Sequence, residues 1–401
     1  MRPFTHTIPF DEARAIINGA VRPIDRQERI ALGEASGRVC AADVVSPRDV
    51  PPFSRAAMDG YAVVAEDTTR ASRQSPTMLR LVERVFTGHP PRVPVVSGMC
   101  SEIATGAPLP HGTDAVVMVE DTQIDGDIVR IFAAVAARQN VGAQGADIRA
   151  GQTAIRKGDV LTPSRLGAVA ALGFTDVDVF VRPTVAVLST GNELRNPGQS
   201  LAPGQIYDIN TYTLSAIVRN HGCVPVPFAT AEDTHEALDG AIDACLTCDV
   251  LVLSGGSSVG ERDLILDAIR RRGEVVFHGI ALKPGKPTAF ALVDGKPVFA
   301  MPGNPTSCLS NAYVLMVPAL RHIARLPPHR AGVVSLPLGQ PIVSPAGKHQ
   351  VCTVCIVGGE AMPAFKSSGD ITSMSQADGY IEIGAETDIV AKGTTVLVTL
   401  F

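Results

Sequence analysis

The segment Val250-Leu251-Val252-Leu253-Ser254-Gly255-Gly256 joins an apolar strand pattern to a glycine-rich turn, and a helix pattern follows over residues 263–271. Similar units lie on either side, because short apolar runs alternate with helix patterns between residues 182 and 320. Strands that alternate with helices of this length indicate βαβ units, whose parallel sheet is covered by helices on both faces. We therefore predict a doubly wound α/β domain in this part of the chain.

Within this region the patterns predict six strands and four helices. Asp294-Gly295 is typical of the tight turn of an antiparallel hairpin, which adds two strands to the sheet. Pro305 suits the first position of a helix, and Asn304 suits the capping position before it. The predicted strands cover residues 185–188, 224–228, 250–253, 275–277, 288–293 and 297–301, and the predicted helices cover residues 211–220, 234–245, 263–271 and 305–320.

The rest of the chain has a different texture. Residues 10–21 carry apolar side chains at helical spacing, whereas residues 29–181 contain short Val- and Ile-rich runs interrupted by Pro and Gly. Strand-like alternation returns after Leu326-Pro327-Pro328. These patterns predict an N-terminal helix, a β-rich region and a small C-terminal β domain. A chain of 401 residues is long enough for two to four domains.

Composition and charge exclude several classes of protein. Hydrophobic residues make up 45% of the chain and charged residues 19%, which is typical of a folded protein. The net charge of −5, the absence of Trp and the aromatic content of 4% argue against nucleic-acid binding. No run approaches the roughly 18 apolar residues of a membrane span, and residues 1–14 lack the apolar core of a signal peptide. We expect a cytoplasmic protein without a membrane segment.

Two Cys-x-x-Cys pairs raise the alternative of a zinc site. Cys352 and Cys355 lie in a strand-like run, where residues three apart point to opposite faces, so their sulfurs cannot meet on one metal. Cys245 and Cys248 end a helix pattern and suit small core positions. We expect neither pair to bind a metal.

Loops that follow the predicted strands carry groups suited to an anion, and parallel sheets bind ligands at this edge. The loop 254–263 offers adjacent glycines, serine hydroxyls and Asp263, a hard oxygen ligand for a phosphate-bound metal. Lys283-Pro284-Gly285-Lys286-Pro287 presents two cations on a backbone stiffened by proline, and Met301-Pro302-Gly303-Asn304-Pro305 leads into a helix N-terminus. Together the loops predict a phosphorylated or oxyanionic ligand. A glycine-rich turn alone fits an ordinary strand-to-helix connection equally well.

A serine hydrolase is the rival interpretation of the first loop. Gly256-Ser257-Ser258-Val259-Gly260 fits the GxSxG pattern between a strand and a helix, with Ser258 as nucleophile. No histidine stands in a convincing position, because His278 closes a strand before the lysine loop and His322 lies in or at the end of a helix pattern. The residues therefore favour a ligand-binding loop.

An ordered series of motifs resembles one known family. Pro52-Phe-Ser-Arg-Ala-Ala-Met-Asp-Gly-Tyr-Ala-Val63 is similar to the MDGYA signature of the MoeA/gephyrin E-domain proteins, the molybdopterin molybdotransferases. Each further marker is weak alone, but their order is specific. They lie at residues 105–110, 114–117, 145–148, 190–194, 206–210, 254–263, 283–287 and 302–305.

The resemblance implies a function and an assembly. Family members insert molybdate into adenylylated molybdopterin, form the molybdenum cofactor and release AMP, with Mg²⁺ as cofactor. The family also implies a homodimer whose active site is completed by the partner's inserted domain, and contacts with the molybdopterin adenylyltransferase and with apo molybdoenzymes. It implies four domains: an elongated helical and β domain at 1–45 plus 146–180, an inserted β domain at 46–145, a molybdopterin-binding (MoaB/MogA-like) α/β domain at 181–326 and a C-terminal β barrel at 327–401.

The same resemblance transfers site residues to this chain. A helix cap or a surface charge is the alternative for each carboxylate, above all for Asp233, which directly precedes a helix pattern at Thr234. The implied catalytic residues are Asp59, Asp147, Glu193, Asp233, Asp263 and Lys283, of which Asp233 and Asp263 are the implied metal ligands. The implied substrate-binding residues are Thr105, Thr190, Asp208, Asn210, Gly255, Gly256, Ser257, Ser258, Lys286, Pro302, Gly303, Asn304, Pro305 and Ser307.

The chain departs from the family pattern at three positions. Gly279 stands where some members have lysine, Cys352 where many have arginine, and Asp370 near a position often occupied by histidine. Fewer positive charges weaken an oxyanion site, and eukaryotic relatives also serve as receptor-binding scaffolds. A non-catalytic pterin-binding or scaffold paralogue is therefore the alternative, although a scaffold needs no acidic cluster around a glycine-rich loop.

Overall fold

The computed structural model describes residues 7–255 and 264–401 of the chain. Its contacts divide the chain into two compact units. The first unit comprises Met1–Glu28, Gly37–Val39 and Phe180–Phe401, and the second comprises Arg29–Ser36 and Cys40–Val179. The four predicted domain boundaries stay a prediction. No helix among the described residues is long and apolar enough to cross a membrane.

A six-stranded mixed sheet forms the centre of the first unit. Four neighbouring strands are parallel, and a hairpin closed by Asp294-Gly295, both with positive φ, continues the sheet antiparallel to them. The predicted strands and hairpin are confirmed, and the strand of residues 273–278 lies at the edge beyond the hairpin. The spatial order is Val224–Pro227, Thr184–Ser189, Val250–Ser254, Lys296–Met301, Ala289–Val293 and Gly273–His278.

Helices cover both faces of this sheet, as the doubly wound prediction requires. Alternate residues of one strand enter separate cores: Val250 and Val252 face one, and Leu251 and Leu253 face the other. The first core also receives the helices Phe10–Ala20, Asn210–Asn220, Pro305–Asn311 and Val317–Ile323, and the second receives His235–Cys245 and Leu264–Arg270. Burial on both faces explains why these strands are continuous apolar runs.

The predicted single helix at residues 305–320 is interrupted by a π-helical turn at Ala312–Met316. Pro318 follows that turn, and a proline cannot donate the backbone hydrogen bond of a regular α-helix. Asn304 occupies the predicted capping position, but the predicted cap is wrong in its chemistry. Its side-chain amide donates to Ser368 Oγ at 3.0 Å instead, so a contact from the C-terminal domain replaces the local cap.

The last part of the chain closes into the predicted β barrel. The strands His349–Val357, Gly379–Ile383, Thr395–Leu400 and Val333–Pro337 pair in this order. Glu360–Pro363 pairs with the first of them, and a bridge from Leu338 to Ala361 closes the ring. Cys352 lies in the barrel core and Cys355 is half-buried on the same strand, as strand alternation predicts for residues three apart.

The second unit is β-rich, as predicted. A six-stranded sheet holds two cores, and a helix, Pro163–Ala171, packs with a third apolar cluster. The sheet order is Ala115–Met118, Gly60–Val63, Met99–Ile103, Thr77–Val85, Ile128–Ile131 and Thr122–Asp125. Shorter strands are Val44–Val45, Arg55–Ala56, Val141–Gly142 and Thr153–Ile155.

Candidate active site

A cavity of about 1030 Å³ opens at the carboxyl edge of the central sheet in the first unit. Thr190, Gly255 and Pro302 each line it directly after a parallel strand. The sequence places ligand groups at this edge because parallel strands all end there. The described lining residues are Thr190, Glu193, Leu194, Leu201, Ile206, Tyr207, Asp208, Ile209, Asn210, Ser254, Gly255, Lys286, Pro287, Pro302, Gly303, Asn304, Pro305, Gly369 and Ile371.

The strand ends pack so closely that Gly255 accepts no side chain. Its φ is +126°, and a Cβ atom there would lie 2.2 Å from Thr190 O. Gly303 approaches from the other side, at 3.4 Å between its ideal Cβ position and Gly255 Cα. Asn210 ties these elements together, because its Nδ2 donates to Ser254 Oγ at 2.7 Å and to Gly303 O at 2.8 Å. The cavity floor is therefore a rigid backbone platform.

Two polar atoms of this floor have capacity for further hydrogen bonds. Thr190 Oγ1 and Asn210 Oδ1 are buried and find no hydrogen-bond partner among the described residues. Asp208 differs, because its carboxylate accepts from Thr211 N and Oγ1, at 3.1 and 2.5 Å, and from Ser189 Oγ at 3.1 Å. Asp208 thus caps the helix Asn210–Asn220 and holds the floor in place.

Glu193 lines the cavity, and its charge acts on the carboxyl of Asp233, which is not among the described lining residues. Partial burial raises the pKa of the Asp233 carboxyl, although the residue is largely exposed, and the negative charge of Glu193 raises it further. Glu193 lines the cavity and folds over Gly191, where a Cβ atom would lie 2.7 Å from the carboxylate oxygens. The capping alternative for Asp233 is wrong, since Thr234 Oγ1 accepts from Ala237 N and caps the helix itself. Like charges in this arrangement suit a cation.

The two lysines of the proline-rich loop lie in different environments. Lys286 lines the cavity. Lys283 is not among the described lining residues, because it lies in a two-residue strand that pairs with Gln350 of the barrel. Ser307 is buried in the helix Pro305–Asn311 and does not line the cavity either.

The remaining predicted site residues lie elsewhere. In the second unit, Asp59 accepts hydrogen bonds from Thr105 N at 2.7 Å and Thr105 Oγ1 at 2.9 Å, which lower the pKa of that exposed carboxyl. Asp147 of the same unit is exposed. The predicted residues outside the described part of the chain are Gly256, Ser257, Ser258 and Asp263, so the hydrolase nucleophile has no described surroundings.

The three departures from the family pattern lie in different surroundings. Gly279 has a φ of +95° and exchanges backbone hydrogen bonds with Ile8 and Thr288, so a lysine there would strain the backbone. Cys352 is buried in the barrel, where burial raises the pKa of its thiol to about 11. Asp370 stands between two cavity-lining residues, and its carbonyl accepts from Thr306 Oγ1 at 2.6 Å.

Sequence reasoning missed the apolar part of the lining. Leu201, Ile206 and Tyr207 are exposed large apolar side chains at the mouth, and the exposed Ile371 joins them from the barrel domain. Exposure of apolar groups beside a predicted loop is a signal that only a structure reveals. The cavity thus combines a polar floor with an apolar rim.

These features define a multidomain α/β protein with a polar cavity at the edge of a doubly wound sheet. Family models match in the order MoeA N-terminal region (domain I and II) at residues 8–173, probable molybdopterin binding domain at 186–322, and MoeA C-terminal region (domain IV) at 335–401. The chain belongs to the MoeA family, and the resemblance found in the sequence is confirmed.

Named relatives cover nearly the whole chain. Molybdopterin molybdenumtransferase 2 of Mycobacterium tuberculosis is 36% identical over 94% of this chain and 94% of its own length. Molybdopterin molybdenumtransferase of Haemophilus influenzae is 31% identical over 94% of this chain and 96% of its own. A crystal structure of the molybdopterin biosynthesis MoeA protein from Pyrococcus horikosii has a TM-score of 0.87 at 37% identity, covering 98% of this chain and 99% of that one.

Proposed function

We propose that this protein is a molybdopterin molybdotransferase, which inserts molybdate into adenylylated molybdopterin, releases AMP and forms the molybdenum cofactor. One observation carries the proposal: a single cavity unites a lysine, a glutamate and buried polar atoms that have no hydrogen-bond partner among the described residues, at the edge where such sheets bind ligands. The names of the full-length relatives support the same activity.

Some cavity residues bind the charged and polar groups of the substrate, and others form the walls. The Lys286 ammonium group faces the molybdate or phosphate oxygens, and Thr190 and Asn210 supply hydrogen bonds beside it. The turn Pro302-Gly303-Asn304-Pro305 forms the opposite wall, and Gly255 lets backbone approach the substrate closely. Lys283 and Ser307 support this arrangement from behind the lining.

Mg²⁺ is part of the proposal as the cofactor. No group of three metal-capable side chains occurs among the described residues, but Glu193 and Asp233 form a close acidic pair, and the predicted ligand Asp263 lies outside them. Carboxylate oxygens are the ligands that Mg²⁺ prefers. When bound, the ion would neutralise phosphate charge during release of AMP. The chain's own contribution is to hold the carboxylates together.

Asp59, Thr105 and Asp147 enter the proposal through the partner subunit. We infer a homodimer in which the second unit of one protomer completes the cavity of the other. We propose that the protein acts in the cytoplasm. Its proposed partners are the molybdopterin adenylyltransferase and apo molybdoenzymes.

AMP release from adenylylated molybdopterin tests the function directly. The purified protein is incubated with Mg²⁺, with and without molybdate, and its product is then offered to an apo molybdoenzyme. We expect molybdate-stimulated AMP release and recovery of molybdoenzyme activity. Absence of both would reject the molybdotransferase and leave the non-catalytic pterin-binding paralogue.

Mixed dimers test whether the active site is shared. Asp59→Asn and Lys286→Met are each expected to be inactive alone. If the two residues act across the interface, random mixing produces heterodimers in half of the dimers, each with one intact site of two, and activity returns to about a quarter of wild type. If both residues serve the same chain's cavity, mixing restores nothing. Retention of untagged Lys286→Met on an affinity column through tagged Asp59→Asn shows whether the subunits exchange.

A further inference from the structure

The loop that carries Lys286 is pressed against one buried side chain. Gly285 is buried and has a φ of +103°, and a Cβ atom there would lie 2.1 Å from Asn311 Nδ2. Ile280 N donates to Lys286 O at 2.9 Å and fixes the backbone beyond the turn. The position of the Lys286 backbone is therefore set by what surrounds Gly285.

Three donors converge on the carbonyl oxygen of Gly285. Thr288 N and Thr288 Oγ1 donate to it at 3.2 and 2.9 Å, and Asn311 Nδ2 donates at 3.1 Å. Asn311 Nδ2 also lies 2.5 Å from Thr288 Oγ1. A carbonyl only accepts, and the Thr288 hydroxyl has given its one hydrogen to Gly285, so the contacting Asn311 atom has to be the amide nitrogen.

Asn311 differs from an ordinary core residue because its buried side chain is polar. The side chain is fully buried, and its Oδ1 finds no hydrogen-bond partner among the described residues. A buried acceptor without a partner is destabilising, so an apolar residue would suit the surrounding core better. What the amide contributes is a pair of donor hydrogens to the lysine loop.

Asn311 also connects two walls of the cavity. It is the last residue of the helix Pro305–Asn311, whose first residue lines the cavity at the turn of residues 302–305. The π-helical turn Ala312–Met316 follows at once, and such turns are frequent at functional sites. One short helix thus holds one wall at its start and the lysine loop at its end.

We propose that Asn311 is a positioning residue that fixes the loop 283–287 and thereby aims the Lys286 ammonium group at the oxyanion substrate. Asn311 is not among the described lining residues, so it acts through Gly285 and Thr288. The inference rests on the proposed function for the identity of that oxyanion, molybdate.

Kinetics with matched variants test this role. Asn311→Ala is expected to raise KM for molybdate about tenfold and to change kcat less than about threefold, because a displaced cation weakens binding of the oxyanion first. Thr288→Val removes the hydrogen bond from the Thr288 hydroxyl to the Gly285 carbonyl. The KM for molybdate of the double variant should be no higher than that of the more impaired single variant, since both residues act through this carbonyl. Ser310→Ala is the control, a buried neighbour whose hydroxyl contacts Met374 Sδ instead.

Hydrogen exchange gives a readout that does not depend on catalysis. The Ile280 and Thr288 amides donate to the carbonyls of Lys286 and Gly285 in the loop, and we expect faster exchange of both amides in Asn311→Ala than in Ser310→Ala. An unchanged KM for molybdate in a folded Asn311→Ala protein overturns the proposal. If the wild type releases no AMP, the proposed function fails, and unchanged exchange would reject the positioning role independently. If Asn311→Ala does not fold, Thr288→Val decides by the same two criteria.

Discussion

Replacing Lys286 by methionine is expected to lower kcat/KM for AMP release by about 10²- to 10³-fold. Lys286 supplies the positive charge of the cavity lining in the described part of the chain. An ammonium group that faces an oxyanion in a partly enclosed site stabilises it far more than it would in open water. Methionine keeps an apolar stem of similar length and removes the charge, so packing is conserved. Steady-state AMP release over a range of molybdate concentrations measures the loss.

Two comparisons make this result specific. Lys392→Met changes the net charge equally at an exposed site of the barrel and should leave kcat/KM at the wild-type value. Lys283→Met should cost no more than about tenfold, because Lys283 is not among the described lining residues and its backbone pairing with the barrel does not depend on the side chain. A greater loss in Lys283→Met than in Lys286→Met would contradict the assignment of Lys286 as the cation that meets the substrate.

The α/β domain was predictable because burial of its strands determines the residue types within short stretches of sequence. A strand buried on both faces has to be apolar at every position, which Val250 to Leu253 shows, and such runs stand out between helix patterns. Gly255 correctly indicated a tight turn after the strand. Its left-handed φ and the 2.2 Å from its ideal Cβ position to Thr190 O leave no room for a side chain. Residues that follow strands therefore identified most of the polar cavity lining.

Contacts between distant segments were not predictable from local patterns. Asn304 has the sequence context of a helix cap, but nothing near it in sequence shows that Ser368 competes for its amide. Ile371 enters the cavity because Thr306 N donates to Ser368 O at 3.1 Å, which draws a barrel loop to the sheet edge. Lys283 and Lys286 are equivalent in sequence, and only the pairing of one with the barrel separates them. Asn311 was missed because a single buried polar residue leaves no repeating pattern in the sequence.

Asp233→Asn is expected to raise the Mg²⁺ concentration for half-maximal AMP release at least about tenfold, because one charged ligand of a hard cation is lost. The same substitution should stabilise the metal-free protein at neutral pH. Burial and Glu193 raise the pKa of Asp233 in the folded state, so the ionised carboxylate destabilises the fold. This cost is absent below the ordinary value of 3.8, grows as pH rises above it and is fully present above the raised folded pKa.

Thermal unfolding without divalent ions therefore checks the sign. The melting temperature of Asp233→Asn relative to wild type should increase as pH rises from about 4 to 7, by a degree or so at most because the group is largely exposed. Glu236→Gln removes an exposed carboxylate from the same helix start and should change neither this difference nor the Mg²⁺ dependence.

Mg²⁺ should then stabilise the wild type more than Asp233→Asn. Binding to the acidic pair relieves the repulsion between Glu193 and Asp233, so Mg²⁺ should raise the melting temperature of the wild type and remove the advantage of Asp233→Asn. An equal rise in both proteins would mean that the ion binds elsewhere and that Asp233 is a strained surface charge. A rise confined to the wild type would mean that the cation binds the two carboxylates and that their mutual repulsion, which destabilises the metal-free protein, is relieved when it binds.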